Sequence, residues 1–338
     1  IVISAGGRLV EKLTAQGSEH ITWPIGKKSP FTLRLIRKLR RFLVEEKVSI
    51  VHARSRVPAW VGYLAWRKMD AATRPRFVTT VHGLHTPNRF SAIMTYGERV
   101  IAVSRTIEQY IRENYPQTPV EKVKLIFRGV EPEEFPYGFK PSSTWLDQWR
   151  RQYPQLIGKP VITLPGRITR LKGHTTFIEV MAKLAQEGSV AQGLIVGGEG
   201  ENRKGYAAQL RRNIAQRNLT NITFAGHRSD IREIYAASTL ILSLTTQSES
   251  FGRTVLEPLC MGVPVIGYGR GGVGEILRAV FAQGLIPADD FLALHARVNL
   301  LLETPCVPSP QQMFTLQAML DQTMAVYTEL MNEQGGSD

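Results

Sequence analysis

Short apolar runs alternate along this chain with amphipathic segments of helical spacing. In the first part the predicted strands are IVIS (1–4), SIVHA (49–53), RFVTTVHG (76–83), RVIAVS (99–104) and VKLIF (123–127). Between the first two lies FTLRLIRKLRRFLVEE (31–46), in which Phe31, Leu35, Leu39, Phe42 and Leu43 recur at the spacing of one helix face. Strands that alternate with helices predict a parallel sheet.

A second alternation of the same kind begins near Lys159. Its predicted strands are VITLPG (161–166), GLIVGG (193–198), ITFAG (222–226), TLILSLT (239–245) and VPVIGYG (263–269).

The segment between the two halves is rich in Pro, Gly and Ser, which is typical of a linker. We therefore predict an α/β protein with domains at 1–140 and 159–310 and a linker at 141–158. A C-terminal helix at 311–334 would pack back on the first domain. The chain opens IVISAGG without a Met, which indicates the interior of a domain, so we expect a preceding segment in the natural protein.

Composition narrows the class of partner. The 338 residues carry a net charge of +13, which favours anionic partners such as nucleic acid, phosphorylated lipid surfaces or polyphosphate substrates. The only cysteines, Cys260 and Cys306, provide neither a disulfide framework nor a metal-spacing pair, which favours a reduced, cytoplasmic compartment. The sequence contains no run of about 18 apolar residues and no visible signal peptide.

The stretch ESFGRTVLEPLCMGVPVIGYGRGGVGE (249–275) is the most informative. It combines a glycine turn, a helix start, an apolar run and a second glycine turn. The free amides of the helix start, near Phe251, Gly252 and Arg253, would favour a phosphate. Glu249, ahead of that start, would accept hydrogen bonds from sugar hydroxyls, and Glu257 from ribose hydroxyls. The alternative is that Glu249 caps the helix and Glu257 is a surface acid.

Two further segments belong with this stretch. LPGRITRLKGH places Gly166, Arg167 and Lys172 after a predicted strand, where the glycine permits close approach of a ligand and the cations would neutralise a diphosphate. Taken alone, that segment is better interpreted as a solvated basic turn. GYGRGG (267–272) and GRGGVG (269–274) fit a dinucleotide-binding pattern but follow the fifth strand of their domain instead of the first. We interpret them as a second close-approach loop beside the phosphates.

These motifs resemble those of the retaining family-four glycosyltransferases, and among them bacterial enzymes of lipopolysaccharide-core or surface-polysaccharide assembly. ESFGRTVLE matches the family's E-x₇-E signature, and PGRITRLKG matches its G-R-x₄-K-G segment. VGGEGE (196–201) stands at its V-G-x-G turn, and FAGHRSDIREIYAAS (224–238) is similar to its F-x-G…Y-x-x-A stretch, with Ser238 at the place of the final Ala. SIVHARSR and TTVHG match segments of its acceptor-side domain.

The resemblance implies the GT-B fold: two Rossmann-like, doubly wound parallel-sheet domains facing a cleft that holds the active site. A nucleotide-diphosphate sugar, with a UDP-hexose favoured, would be bound by the C-terminal domain. Arg167 and Lys172 would hold the diphosphate, Glu249 the sugar and Glu257 the ribose, and His82 would lie near the reacting sugar. The remaining implied donor-binding residues are Gly166, Ser250, Phe251, Gly252, Arg253 and Thr254.

No cofactor is expected beyond the substrate nucleotide sugar, and no metal, because the D-x-D of metal-using transferases is absent. On the acceptor side, His52, Arg54 and Arg56 would bind an anionic lipid-linked or saccharide acceptor, or would form a strand end that faces water. His82 is equally a structural hydrogen-bonding residue when the resemblance is set aside.

The helix at 31–46 carries the cations Arg34, Arg37, Lys38, Arg40 and Arg41. These cations favour a peripheral contact with the inner face of the plasma membrane, and the commoner alternative is a sheet-packing helix with a solvated outer face. Two other functions stay open: a catalytically inactive nucleotide-sugar-binding relative, and a basic nucleic-acid-binding protein. The second is disfavoured because no nucleic-acid-binding module is recognisable, and nucleic acid is not among the expected partners.

Overall fold

The computed structural model describes residues 1–199 and 204–335, with only the backbone of Lys204, Gln334 and Gly335. The chain divides into two compact units. Unit 1 comprises residues 1–127 and 320–338, and unit 2 comprises residues 128–319.

Unit 1 contains two separate parallel sheets. Its strands are β1 (Val2–Ser4), β2 (His20–Thr22), β3 (Ile50–Ala53), β4 (Arg76–Val81), β5 (Arg99–Ala102) and β6 (Val123–Leu125). The larger sheet has the order β3-β4-β5-β6, while β1 pairs with β2 alone. Every pairing is parallel, and in the larger sheet Val51 lies opposite Phe77. Strand β4 is buried from Phe77 to Val81, as expected for a central parallel strand.

Helices cover the sheets of unit 1. The first four are α1 (Val10–Ala15), α2 (Arg34–Glu45), α3 (Arg56–Trp66) and α4 (Arg105–Asn114). A short 3-10 turn, Pro30–Leu33, precedes α2. Helix α2 buries Leu39 and Leu43 against Val61 and Ala65 of α3, while the five cations on it are exposed, so it has the solvated outer face that the commoner alternative expects. Within the described residues, no helix combines the length and apolarity needed to cross a lipid bilayer.

The last helix, α12 (Leu316–Gly335), begins in unit 2, and its residues from Leu320 onward are grouped with unit 1. In unit 1 its Glu329 forms ion pairs with Arg99 at 2.8 Å and with Lys124 at 3.1 Å, on β5 and β6. The predicted start at 311 is too early. Residues 311–315 are not helical, because the N–H of Val130 donates to Phe314 O at 2.9 Å and Val130 forms a parallel bridge with Thr315.

Unit 2 is built on one six-stranded parallel sheet. Its strands are β7 (Val161–Pro165), β8 (Gln192–Val196), β9 (Ile222–Gly226), β10 (Leu240–Ser243), β11 (Val265–Tyr268) and β12 (Leu285–Ile286). The order is β12-β11-β10-β7-β8-β9. All residues of β7, β8, β10 and β11 are buried, because helices cover both faces of the sheet. Those helices are α5 (Ser143–Gln152), α6 (His174–Gln186), α7 (Lys204–Gln216), α8 (Ile231–Ala236), α9 (Arg253–Cys260), α10 (Gly271–Val280) and α11 (Phe291–Glu303).

All ten predicted strands are present, and most end one or two residues earlier than predicted. Strands β2 and β12, of three and two residues, were not predicted. The boundary between the two units in the sequence lies between residues 127 and 128, instead of near residue 140 as predicted. The segment expected to be a linker contains α5, whose Trp149 packs with Tyr153, Val161 and Leu194 in the core of unit 2.

Replacement of Trp149 tests whether this segment is part of the unit 2 core. Trp149→Ala removes a buried indole that stacks on Trp145, with ring centroids 4.9 Å apart. We expect it to lower the free energy of unfolding of unit 2 by about 3–5 kcal/mol in urea titrations. Arg151→Ala, an exposed residue of the same helix, should change it by less than about 0.5 kcal/mol. A similarly small effect of both changes would show that the segment behaves as a linker.

Candidate active site

The sheet of unit 2 has a topological switch point between β7 and β10. From β7 the chain continues to β8 and β9 on one side, and from β10 to β11 and β12 on the other. The loops that leave the carboxyl ends of β7 and β10 therefore diverge and leave a crevice, which is where open parallel sheets bind ligands. We call residues 166–173 the β7 loop and residues 244–252 the β10 loop.

An ion pair joins the two loops. Lys172 Nζ, on the β7 loop, lies 2.6 Å from Glu249 Oε1 on the β10 loop. About a quarter of each side chain is exposed, 24% for Lys172 and 22% for Glu249, so both groups are accessible to a ligand. The backbone adds a second link, because the N–H of Thr246 donates to Leu171 O at 2.9 Å. The residue predicted to bind the diphosphate, Lys172, is thus in direct contact with the residue predicted to bind the sugar, Glu249.

The loops also touch through Gly173, the residue before α6. Its φ is +73°, and a Cβ added there would lie 2.0 Å from Leu244 O. Only glycine fits both the left-handed backbone and this close approach. The Lys172 side chain runs beside Gly166, with its Cδ 3.5 Å from where a Cβ of Gly166 would be. Arg167 is exposed, and in the part of the chain that the structure describes no acidic side chain pairs with it.

The β10 loop leads directly into α9. The residue before the helix is Gly252, with φ of +108°, and no side chain caps the helix. Within the described residues, no acceptor of the chain meets the N–H groups of Gly252, Arg253 or Thr254, so these amides are free for an anion. The alternative that Glu249 caps this helix is wrong, because its carboxylate binds Lys172. Ser250 and Phe251 lie in the same loop, Ser250 half-buried and Phe251 buried.

Glu257 lies one turn further along α9 than Arg253 and is only 6% exposed. Its Oε1 lies 2.8 Å from Arg253 Nη2, and its Oε2 accepts a hydrogen bond of 3.1 Å from the Tyr235 hydroxyl. Burial raises the pKa of the Glu257 carboxyl, and the nearby Arg253 opposes that shift. The alternative that Glu257 is a surface acid is therefore wrong. Sequence reasoning missed Tyr235 as its partner, although the Y-x-x-A stretch contains it.

The glycine loop after β11 approaches the β10 loop. The N–H of Gly272 donates to Glu249 O at 2.8 Å. A Cβ on Gly271, whose φ is +57°, would lie 2.6 Å from that same oxygen. These glycines therefore allow their loop to approach the backbone of Glu249 closely, and the hydrogen bond from Gly272 holds that backbone in place. Their predicted position beside a phosphate stays a prediction.

The loop after β8 meets the β7 loop through backbone hydrogen bonds. The N–H of Ile168 donates to Gly198 O at 3.1 Å, and the N–H of Gly166 donates to Val196 O at 2.8 Å. This is the VGGEGE segment, of which residues 200 and 201 lie outside the described residues.

In unit 1 the predicted acceptor-side residues follow neighbouring strands. Arg54 follows β3 and His82 follows β4, and Arg54 Nε donates to His82 Nε2 at 3.1 Å. The guanidinium of Arg56 donates to Ser91 Oγ at 3.1 Å and lies 5.7 Å from the ring centroid of Phe90. Arg54 and His82 thus form one cluster, and Arg56 is directed toward a different part of unit 1.

His52 does not belong to that cluster. Its ring nitrogens lie 2.5 Å from Tyr327 Oη and 2.5 Å from Thr80 Oγ1. Burial, with a smaller effect of the nearby Arg54, lowers the pKa of His52 to about 4. The imidazole is therefore neutral at physiological pH, and the suggestion that His52 binds an anionic acceptor is wrong. Periodicity could not show this, because Tyr327 is 275 residues away in sequence.

Comparison with known proteins identifies the class. Residues 147–315 match the family model described as glycosyl transferases group 1, and residues 2–134 match that of Glycosyltransferase Family 4. The chain therefore belongs to these glycosyltransferases, and its two parallel α/β units have the GT-B fold.

Individual relatives agree with the family. A glycosyltransferase structure from Rickettsia africae has a TM-score of 0.84 and 28% identity, with 97% of this chain and 89% of that one covered. Anabaena HepE, in complex with UDP and glucose, has a TM-score of 0.73 and 20% identity, with coverage of 98% and 90%. N-acetyl-alpha-D-glucosaminyl L-malate synthase of Bacillus anthracis is 25% identical over 74% of this chain. The chain spans only 64–66% of the length of the first curated relatives that it matches.

The lowered pKa of His52 predicts a pH dependence of stability. The imidazole accepts a proton near pH 6.5 when the chain is unfolded but only near pH 4 when it is folded. Stability from the neutral imidazole is complete above about pH 6.5 and is lost as pH falls toward about 4, by at most about 3 kcal/mol. Urea titrations across this range should show the decline, and His52→Gln should make it shallower. An equally steep decline in that variant would contradict the assignment.

Proposed function

We propose that this protein transfers a hexose from a nucleotide-diphosphate sugar to a saccharide or glycolipid acceptor. The observation that carries the proposal is the Lys172–Glu249 contact across the switch point of unit 2. Lys172, Arg167 and the free amides at the start of α9 form an anionic-ligand site, and Glu249 provides a hydrogen-bond acceptor beside it. One diphosphate-linked sugar satisfies both requirements. Glu257 is proposed to bind the ribose.

The chemistry follows from where charge develops. Negative charge grows on the leaving diphosphate as its bond to the sugar breaks, and fixed cations and amides stabilise that charge without reorganisation. Here Lys172, Arg167 and the amides of 252–254 would fill that role, so we propose that no metal is required. Retention of configuration, with the diphosphate assisting deprotonation of the acceptor, is supported by the resemblance of the E-x₇-E segment.

For the donor we propose a UDP-hexose. The support is the fold shared with Anabaena HepE, whose structure contains UDP and glucose. Thermal-shift measurements with UDP-, GDP- and ADP-sugars would distinguish the base. A larger shift with GDP- or ADP-sugars would contradict the UDP assignment while leaving the diphosphate site in place.

For the acceptor we propose an anionic saccharide or glycolipid of the kind found in lipopolysaccharide cores, bound by unit 1. The Arg54–His82 cluster at the carboxyl ends of β3 and β4 supports this, with Arg56 as a further cation. The exposed cations of α2 support a peripheral contact with anionic lipid, because each such cation contributes about 1 kcal/mol near the surface.

Replacement of Lys172 should weaken binding of the diphosphate without weakening binding of the nucleoside. Lys172→Ala removes a charge-assisted contact worth about 1.5–3 kcal/mol, so UDP-glucose should bind about 10- to 100-fold more weakly in calorimetry. Uridine, which lacks the phosphates, should bind within about twofold of its original affinity. Lys159→Ala, at an exposed site of the same unit, serves as the matched control. Equal losses for both ligands would contradict the diphosphate assignment.

Neutralising the glutamate should affect turnover. Glu249→Gln keeps the shape of the side chain but removes its charge, and we expect donor cleavage or transfer to fall at least about 100-fold. Thermal unfolding should change little, because a partly exposed ion pair contributes about 1 kcal/mol or less. Glu303→Gln, an exposed acid, is the control.

The same assays test the need for a metal. They are run in EDTA, and activity that appears only when a divalent cation is added would contradict the metal-free proposal. An unmodified chain that binds UDP-glucose yet never turns it over would identify an inactive relative.

A further inference from the structure

The glycine loop after β11, residues 269–272, holds the β10 loop at two points. At one of them the N–H of Gly272 donates to Glu249 O at 2.8 Å. At the other, the guanidinium of Arg270 donates through Nη1 to Thr246 O. Gln247 and Ser248, between these two points, are exposed. The backbone of the β10 loop is therefore anchored on either side of its exposed tip, and one of the two anchors is a side chain.

The guanidinium of Arg270 is itself fixed by two further contacts. Its Nη2 lies 2.5 Å from Asp289 Oδ2, after β12, and its Cζ lies 5.6 Å from the ring centroid of Tyr268 on β11. The planar fork of an arginine donates in fixed directions, so these contacts also fix the donor that meets Thr246 O. The Arg270 side chain is only 17% exposed and its charge is matched by Asp289, which suits it to hold a loop more than to bind a ligand anion.

The residue that Arg270 contacts also meets the β7 loop. The N–H of Thr246 donates to Leu171 O at 2.9 Å, so both polar backbone groups of Thr246 are engaged. Leu171 precedes Lys172, and Thr246 lies three residues before Glu249, whose side chains form the ion pair of the candidate site. A shift of Thr246 would therefore change where Glu249 stands relative to Lys172. Misplacement of a reacting group by about 1 Å is enough to slow a reaction about 100-fold.

We propose that Arg270 is a positioning residue, which fixes the β10 loop through Thr246 O and thereby orients Glu249. It acts through the backbone of that loop and does not touch the substrate. The effect on turnover rests on the proposed function, whereas the effect on the loop does not. The two effects are therefore measured separately.

The effect on the loop is read out by hydrogen exchange without any substrate. Arg270→Met keeps an unbranched side chain but removes the donor to Thr246 O. We expect the amides of Thr246 and Gly272 to exchange about tenfold faster in this variant, because the segment between them loses one anchor. Arg278→Met is the matched control: it removes an exposed guanidinium that donates to Gly269 O at 3.2 Å, and it should leave both amides unchanged.

The effect on turnover is measured as a double-mutant cycle with Glu249→Gln. Arg270→Met alone should lower kcat about tenfold, with the KM for UDP-glucose changed less than about twofold, because the cations of the β7 loop stay in place. In the Glu249→Gln background it should change kcat by less than about twofold, because the residue that it positions is already impaired. Arg270→Lys keeps a cation that cannot reach both Thr246 O and Asp289, so its kcat should be intermediate. This second variant provides the same comparison should Arg270→Met not fold.

Three results would each overturn the positioning role. They are unchanged exchange at both amides, an equal loss of kcat in the two backgrounds, and a rise in KM as large as the fall in kcat, which would make Arg270 a ligand-binding residue. A chain whose amides respond as expected but which transfers no sugar would contradict the proposed function and support the role of Arg270 in holding the loop.

Discussion

The candidate site depends on the contact between two loops at one reversal of strand order. From the two middle strands of this sheet the chain moves outward in opposite directions, so the loops after the neighbouring strands β7 and β10 diverge. Lys172 and Glu249 meet across that divergence at 2.6 Å, and Gly173 allows the backbones to touch. The glycine loop after β11 and the loop after β8 then hold the outer sides of the same two loops. The strand order therefore dictates where charge can be concentrated.

The energetics of that ion pair favour a role in binding over a role in folding. Both side chains are partly exposed, and pairs of this kind contribute little to stability because water already solvates the separated charges. The loops are held together by Gly173 and by the Thr246–Leu171 hydrogen bond, which do not depend on the ion pair. Separation of Lys172 from Glu249 would therefore cost the fold little stability. Glu257 differs, because its carboxylate is buried and engaged by Arg253 and Tyr235.

The sequence predicted the strands of the two units better than the features that depend on contacts between residues distant in sequence. Apolar runs located ten of the twelve strands of the described residues, because burial on both faces of a parallel sheet leaves a continuous apolar signature. The resemblance to the family grouped Lys172 and Glu249 in one site, and the structure brings their side chains into contact because β7 and β10 are adjacent strands. What failed were features set by distant contacts. Trp149 turns a linker-like segment into core, Thr315 pairs with Val130 where a helix was expected, and Tyr327 makes His52 a neutral structural residue.

The two units differ in how complete their sheets are. In unit 2 each strand from β11 to β8 has a hydrogen-bonded neighbour on both sides, so the loops of the candidate site rest on a continuous support. In unit 1, β3 is an edge strand of the larger sheet, and Arg54 of the Arg54–His82 cluster directly follows it. Among the described strands, Arg54 therefore follows one that is paired on a single side, whereas Lys172 and Glu249 follow β7 and β10, which are paired on both sides.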